Sequence, residues 1–271
     1  MNIINIKDID VNKLNLAKIQ GSKSQVYVQG GICYKFVDGL YPDEKYKLLI
    51  KFKNMEGIKI DGVILPKDLI MDGNSLEGYT MEYFQNSINL YDYFDHSRFI
   101  DSNDILSITA KVSKIMKKAH DSGIILQDVS FDNILIDDNN QIKISDIDGC
   151  SFNEIYGPFI SKLVYLFFEL HDRSNRIDIN KNLDRISLTL SMIFTLYHKR
   201  LEELSLSEYD ELASKISDLR NMRDLIMQLK QRKIIEMPYL DEIITRKDHF
   251  NIHRNFQVPK TKELKYNRSL K

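Results

Sequence analysis

HDSGIILQDVSFDNILIDDNNQIKISDIDG, His120 to Gly149, carries polar residues where apolar patterning alone would give only turns and buried strands. Asn133-Ile134-Leu135-Ile136 and Gln141-Ile142-Lys143-Ile144 are short and rich in β-branched residues. Asp137-Asp138-Asn139-Asn140 lies between them, so the stretch predicts a β-hairpin with a four-residue turn. A hairpin brings its ends back together. Asn133 enters the first strand and Asp146 leaves the second, so at a strand spacing of about 5 Å an amide oxygen and a carboxylate can face one hard cation. Asp128, on the loop before Asn133, adds a third oxygen side chain facing the same place.

Upstream, KIQGSKSQVYVQGGICYKFV predicts two strands joined at Gln29-Gly30-Gly31, with the small residues Gly21 and Ser24 on the approach to the first. Tyr41-Pro42-Asp43-Glu44 opens a helix that runs to about Met55 and has Leu48, Leu49 and Phe52 on its apolar face. Strands resume at Gly62 to Leu65 and Leu69 to Met71, and Asp72-Gly73-Asn74 turns the chain into a strand from Leu76 to Phe84. After Asn86 to Asn89 the patterns become helical. Ile105, Ile108, Val112, Ile115 and Ala119 recur at three and four residues, and Leu212, Ile216, Leu219, Leu225 and Leu229 continue the pattern. Strands first and helices later make the fold class α+β.

At 271 residues the chain suits one two-lobed unit or two compact domains. With 43% hydrophobic and 28% charged residues it has a globular composition, and a net charge of -1 gives no electrostatic case for nucleic acid or anionic lipid. Cys33 and Cys150 are too few for a disulfide framework, which predicts a reducing, cytoplasmic setting. The opening MNIINIKDIDVN has acids and no apolar core, and the longest apolar run, FISKLVYLFFEL at 159–170, contains Lys162, so no signal peptide or membrane span is expected.

The ordered motifs resemble those of protein kinases. GIILQD at 123–128 stands where that family carries GI-x-HRD, FDNILI at 131–136 where it carries P-x-NIL, and KISDIDG at 143–149 where it carries KI-x-DFG. The resemblance implies a two-lobed protein kinase-like fold: a β-rich N-lobe over 1–85, an α-helical C-lobe over 86–258 and a basic tail over 259–271. It implies ATP and Mg2+ as cofactors, Asp128 as the residue that orients or deprotonates the accepting hydroxyl, and Asn133 and Asp146 as metal ligands. Ile19, Gly21, Ser24 and Val26 fill the marked places of G-x-G-x-x-G-x-V, with one of its three glycines kept. Lys35, in CYKF, matches the strand lysine that contacts the phosphates. Glu44 resembles the helix acid that pairs with that lysine; an acid in a first turn is equally expected from the helix dipole, and Glu56 is the fallback. GYTMEYF resembles the hinge, with Met81 as gatekeeper and Glu82, Tyr83 and Phe84 offering backbone groups to adenine. Asp184, in DRISLT, resembles the aspartate that anchors the catalytic-loop backbone; as an ordinary helix cap it would look the same. Phe168-Glu169-Leu170 stands for P-E-L, and Met237 replaces the arginine of the terminal helix motif.

The departures bear on the acceptor. Leu126 and Gln127 replace His and Arg, Ser130 replaces the lysine after the catalytic Asp, and Asp148 replaces the Gly of DFG. Against these departures, the Asp184 run and the hinge keep the implied reaction as transfer to Ser or Thr of a protein substrate. The alternatives are a small-molecule acceptor, as in aminoglycoside- or choline-kinase-like enzymes, and a pseudokinase that binds without turnover.

Overall fold

The computed structural model describes residues 1–17, 26–96, 101–153, 155, 160–168, 179–233 and 235–244. In chain order its elements are β1 (Ile3–Asn5), β2 (Asn15–Leu16), β3 (Val26–Gln29), β4 (Ile32–Phe36), α1 (Pro42–Asn54), β5 (Pro66–Asp72) and β6 (Ser75–Glu82). Then come β7 (Ser87–Asn89), α2 (Leu90–His96), α3 (Ser102–Asp121), β8 (Ile124–Ile125), β9 (Ile134–Asp137), β10 (Ile142–Ile144) and β11 (Ser151–Phe152). Helices α4 (Lys162–Phe167), α5 (Lys181–Tyr197), α6 (Leu206–Lys215), α7 (Ser217–Lys230) and α8 (Leu240–Ile243) complete the order. The fold is thus α+β, a β-rich part followed by a helical part.

The first part is a six-stranded sheet in the order β1-β5-β6-β4-β3-β2. The β3–β4 hairpin turns on Gly30 and Gly31, both at positive φ (58° and 79°), which matches the right-handed twist of the flanking strands. Gly78 on β6 sits opposite Phe36, and a Cβ there would lie 2.5 Å from the Lys35 carbonyl oxygen, so only glycine lets β6 run this close to β4. Helix α1 starts with Pro42, whose fixed φ suits a first turn, and packs Leu48, Leu49 and Phe52 into the core, Phe52 edge-on to Tyr79. Edge strand β1 pairs parallel with β5, an addition not expected from the sequence. The expected strand at Gly62 to Leu65 is a correction. Val63 forms only an isolated parallel bridge to Ile144, with Ile64 N–H to Ile144 O at 2.8 Å and Ile144 N–H to Gly62 O at 2.8 Å. The segment therefore stitches the sheet's part of the chain to the later hairpin instead of extending the sheet.

In the second part α3 is capped by Asp101, whose carboxylate accepts the N–H groups of Asn103 (2.7 Å) and Asp104 (3.0 Å). Its stripe, including Leu106, Ile108, Val112 and Met116, is buried, and each such side chain contributes roughly 1.5–3 kcal/mol. Helix α5 packs against it and is capped by Asn180. The β9–β10 hairpin has the predicted arms, with Ile142 opposite Ile136 and Ile144 opposite Ile134, and β7 adds a third strand. Among the described residues no helix is long and apolar enough to cross a membrane. Both cysteines are buried and unpaired.

Candidate active site

Lys35 lies on β4 opposite Val26 in the hairpin register and is 4% exposed. Its ammonium reaches out of the sheet to the turn after β10, where it donates to the Asp146 and Asp148 carboxylates, the latter at 2.9 Å. Burial disfavours the charge, but Tyr79, Asp148 and Asp146 together hold the Lys35 pKa well above its ordinary value. Against the same burial, Lys35 keeps Asp148 low, whereas burial and the Asp148 charge push Asp146 up. The turn itself is a single 3-10 turn, Ile147–Gly149, and Asp146 leads into it in the left-handed region (φ 62°, ψ 46°). That conformation is uncommon for a residue with a Cβ, and it aims the carboxylate back at the cleft.

The other half of the site follows β8. The Asp184 carboxylate on α5 accepts the N–H groups of Leu126 (2.6 Å) and Gln127 (2.7 Å), so the expected anchoring of the loop is present. His120 Nε2 meets the same carboxylate at 2.8 Å and its Nδ1 meets the Tyr239 hydroxyl at 2.8 Å. Gln127 sits at φ 64° and its side-chain amide donates to the Ser151 hydroxyl, which ties the loop to β11. Asp128 comes next. Asn133 Nδ2 donates to its carbonyl (3.0 Å) and to its Oδ2 (3.1 Å), and burial raises the Asp128 pKa despite that bond. The Asn133 carbonyl accepts the N–H of Ser145 (2.9 Å), so the two ends of the hairpin meet as the sequence predicted.

The structure therefore brings Lys35, Asp128, Asn133 and Asp146 to one cleft. Met81 lies opposite Cys33 on the strand that carries Lys35, and Glu82 pairs with Lys143 at 2.5 Å. The Tyr83 N–H is taken by the Gly31 carbonyl (3.1 Å), so it is not free for the adenine contact expected of it. Glu44 is a correction. Its carboxylate accepts the Tyr41 N–H at 2.8 Å and caps α1, two helical turns (about 10.5 Å) before the part of the helix that faces the cleft. Glu56 lies past the end of α1 and is exposed. Ile19, Gly21, Ser24, Glu169, Leu170 and the basic tail lie outside the described residues.

Two participants were missed. In the sequence Asp148 reads only as a departure from DFG. Lys51 was not singled out at all: it stands on α1 where the acid was sought, and its ammonium donates to the carbonyls of Asp148 (2.6 Å) and Cys150 (2.7 Å). The available signal was a lysine at an apolar position of the Leu48, Phe52, Met55 stripe.

The donors suit a hard cation: two carboxylates already hold an ammonium between them, and Asn133 adds an amide oxygen. Among the described residues no three His, Cys, Asp or Glu side chains gather. A set of one or two carboxylates completed by phosphates and water is how magnesium is commonly held.

Residues 28–151 match the family described as protein tyrosine and serine/threonine kinase. That segment contains Lys35, Asp128, Asn133 and Asp146. Comparison with curated proteins gives no match.

Proposed function

On the premise that the chain is a member of the protein kinase-like superfamily, we propose that it transfers the terminal phosphoryl group of ATP to a Ser or Thr hydroxyl of a protein. The observation that carries this is the meeting of Lys35, from the sheet, with Asp146 and Asp148, from the turn beside the Asp128 loop. Adenine is bound by the Glu82 carbonyl and the Phe84 N–H, under Val26 and against Met81. Lys35 serves the phosphates, and Asn133 and Asp146 would hold magnesium, which neutralises charge on the transferred group. Asp128 orients the acceptor hydroxyl and accepts its proton. Its raised pKa makes it a better base than a solvated carboxylate while Asn133 holds it in place. The anchoring of Leu126 and Gln127 by Asp184 supports a protein acceptor, since it fixes the loop on which such a substrate would lie.

The test is incubation with γ-labelled ATP and magnesium, separating label on protein, on small molecules and on free phosphate. Label on Ser or Thr of added protein, lost in Asp128→Asn with ATP binding retained, is the expected result. Label confined to a small molecule would move the acceptor to the small-molecule class. No transfer despite ATP binding would leave a binding module.

A further inference from the structure

Helix α1 carries four lysines, Lys45, Lys47, Lys51 and Lys53, and of these only Lys51 is fully buried, 2% exposed. Sequence spacing puts it there. Leu48, Lys51, Phe52 and Met55 recur at three and four residues and make the stripe that faces the core. A buried ammonium is tolerated only where acceptors replace its water. For Lys51 these are two main-chain carbonyls, Asp148 O at 2.6 Å and Cys150 O at 2.7 Å.

The two carbonyls lie on either side of Gly149 and close the turn that carries both carboxylates of the cleft. Asp146 leads that turn at φ 62°, a conformation that needs its surroundings to hold it. Ser151, next after Cys150, takes the Gln127 amide, and Gln127 precedes Asp128. A continuous set of contacts thus runs from α1 through the turn to the catalytic loop, and Lys51 makes its first link. The acids that pair with Lys35 both come from the turn, so α1 reaches the turn by a cation on the backbone, not by an acid on Lys35.

We propose that Lys51 is a positioning residue for phosphoryl transfer, fixing the 146–150 turn against α1 so that Asp146 and Asp148 stay aimed at the metal and phosphates. This rests on the phosphotransferase reading above. Lys51→Met keeps the length and apolar stem but removes the ammonium; Lys51→Arg keeps the charge.

Hydrogen exchange on the nucleotide-free protein tests the contact itself. In Lys51→Met the amides of 147–152 should exchange at least tenfold faster, with those of 105–112 on α3 unchanged; equal exchange in both segments overturns the proposal. Binding tests the consequence, using adenosine, which has no phosphates, and Mn2+–ATP. Lys51→Met should bind adenosine within twofold of the original chain and Mn2+–ATP at least tenfold more weakly, and Lys51→Arg should recover part of the loss. Equal loss for both ligands, or no loss for Mn2+–ATP, overturns the positioning role. An unsubstituted chain that binds neither ligand overturns the phosphotransferase reading and this role with it, and is distinguished by failing before any substitution is made.

Discussion

Asp184, fully buried on α5, accepts the backbone N–H of Gln127 at 2.7 Å, and Gln127 sits at φ 64° immediately before Asp128. The helix therefore holds the loop that carries Asp128 in a conformation that a non-glycine residue adopts only under constraint. Asp184→Asn keeps the shape but exchanges one accepting oxygen for a donor that faces the same N–H groups. The expected cost is about 2 kcal/mol of stability, from hydrogen bonds to a charged acceptor. Turnover should fall at least tenfold with little change in ATP affinity. Denaturant unfolding and steady-state kinetics on the same preparation check both, and an unchanged turnover would remove the link between α5 and the loop.

Lys35→Met should abolish phosphoryl transfer and also destabilise the nucleotide-free protein, because it leaves the Asp146 and Asp148 carboxylates without their cation. Because Asp146 is 39% exposed and Asp148 20%, the cost falls between that of a surface pair, about 1 kcal/mol, and that of a buried one, about 3 kcal/mol. Adding Asp148→Asn to Lys35→Met should restore part of that stability without restoring transfer. Urea midpoints of the two single variants and the double variant decide it. Strict additivity would mean that the lysine and Asp148 do not interact.

Activity should not depend on phosphorylation of the segment that follows the 146–150 turn. Kinases switched in that way grip the phosphate through the charge of an arginine at the position before the aspartate that Asp128 matches, and here that position is Gln127, a neutral amide. Gln127 donates instead to Ser151, which is 3% exposed and poorly placed to receive a phosphate. Phosphatase-treated protein should keep its initial rate, and Ser151→Ala should lower the rate less than tenfold with no lag. A lag removed by autophosphorylation would contradict this.

Away from the cleft, Glu208 gives a pH dependence. A hydrogen bond from Lys199 first, then bonds from Ser205, hold its pKa at about 2, against an ordinary value of 4.5. A depressed acid stabilises the fold above the unfolded value and loses that contribution as pH falls through the folded one. Glu208→Gln should therefore lower Tm at pH 7, and the difference from the original chain should shrink from about pH 4.5 and vanish near pH 2. A Tm difference that stays constant down to pH 2 would show that the charge does not matter.

The sequence by itself determined the hairpin, the strand that carries Lys35, the long helix before the catalytic loop and the order Asp128, Asn133, Asp146. These rest on local rules: alternation, turn chemistry, helical period and spacing along one short stretch. Pattern alone shows Asp184 only as an acid at a helix start; the kinase resemblance marked it as the loop anchor, and its partners come from the fold. Tertiary structure decided which charges meet. Glu44 and Lys51 lie seven residues apart and so project from one side of α1, and the kinase resemblance pointed to the acid while the helix dipole equally explained it as a cap. Only the register of α1 against the 146–150 turn shows that Lys51 faces the turn while Glu44 caps the helix start. The acceptors of Lys51 are main-chain carbonyls, which every residue carries and no side-chain pattern reveals. The partners of Lys35 lie 111 and 113 residues away and depend on how the hairpin packs against the sheet, and β1 finds β5 only once the sheet is assembled, so neither follows from anything local to either segment.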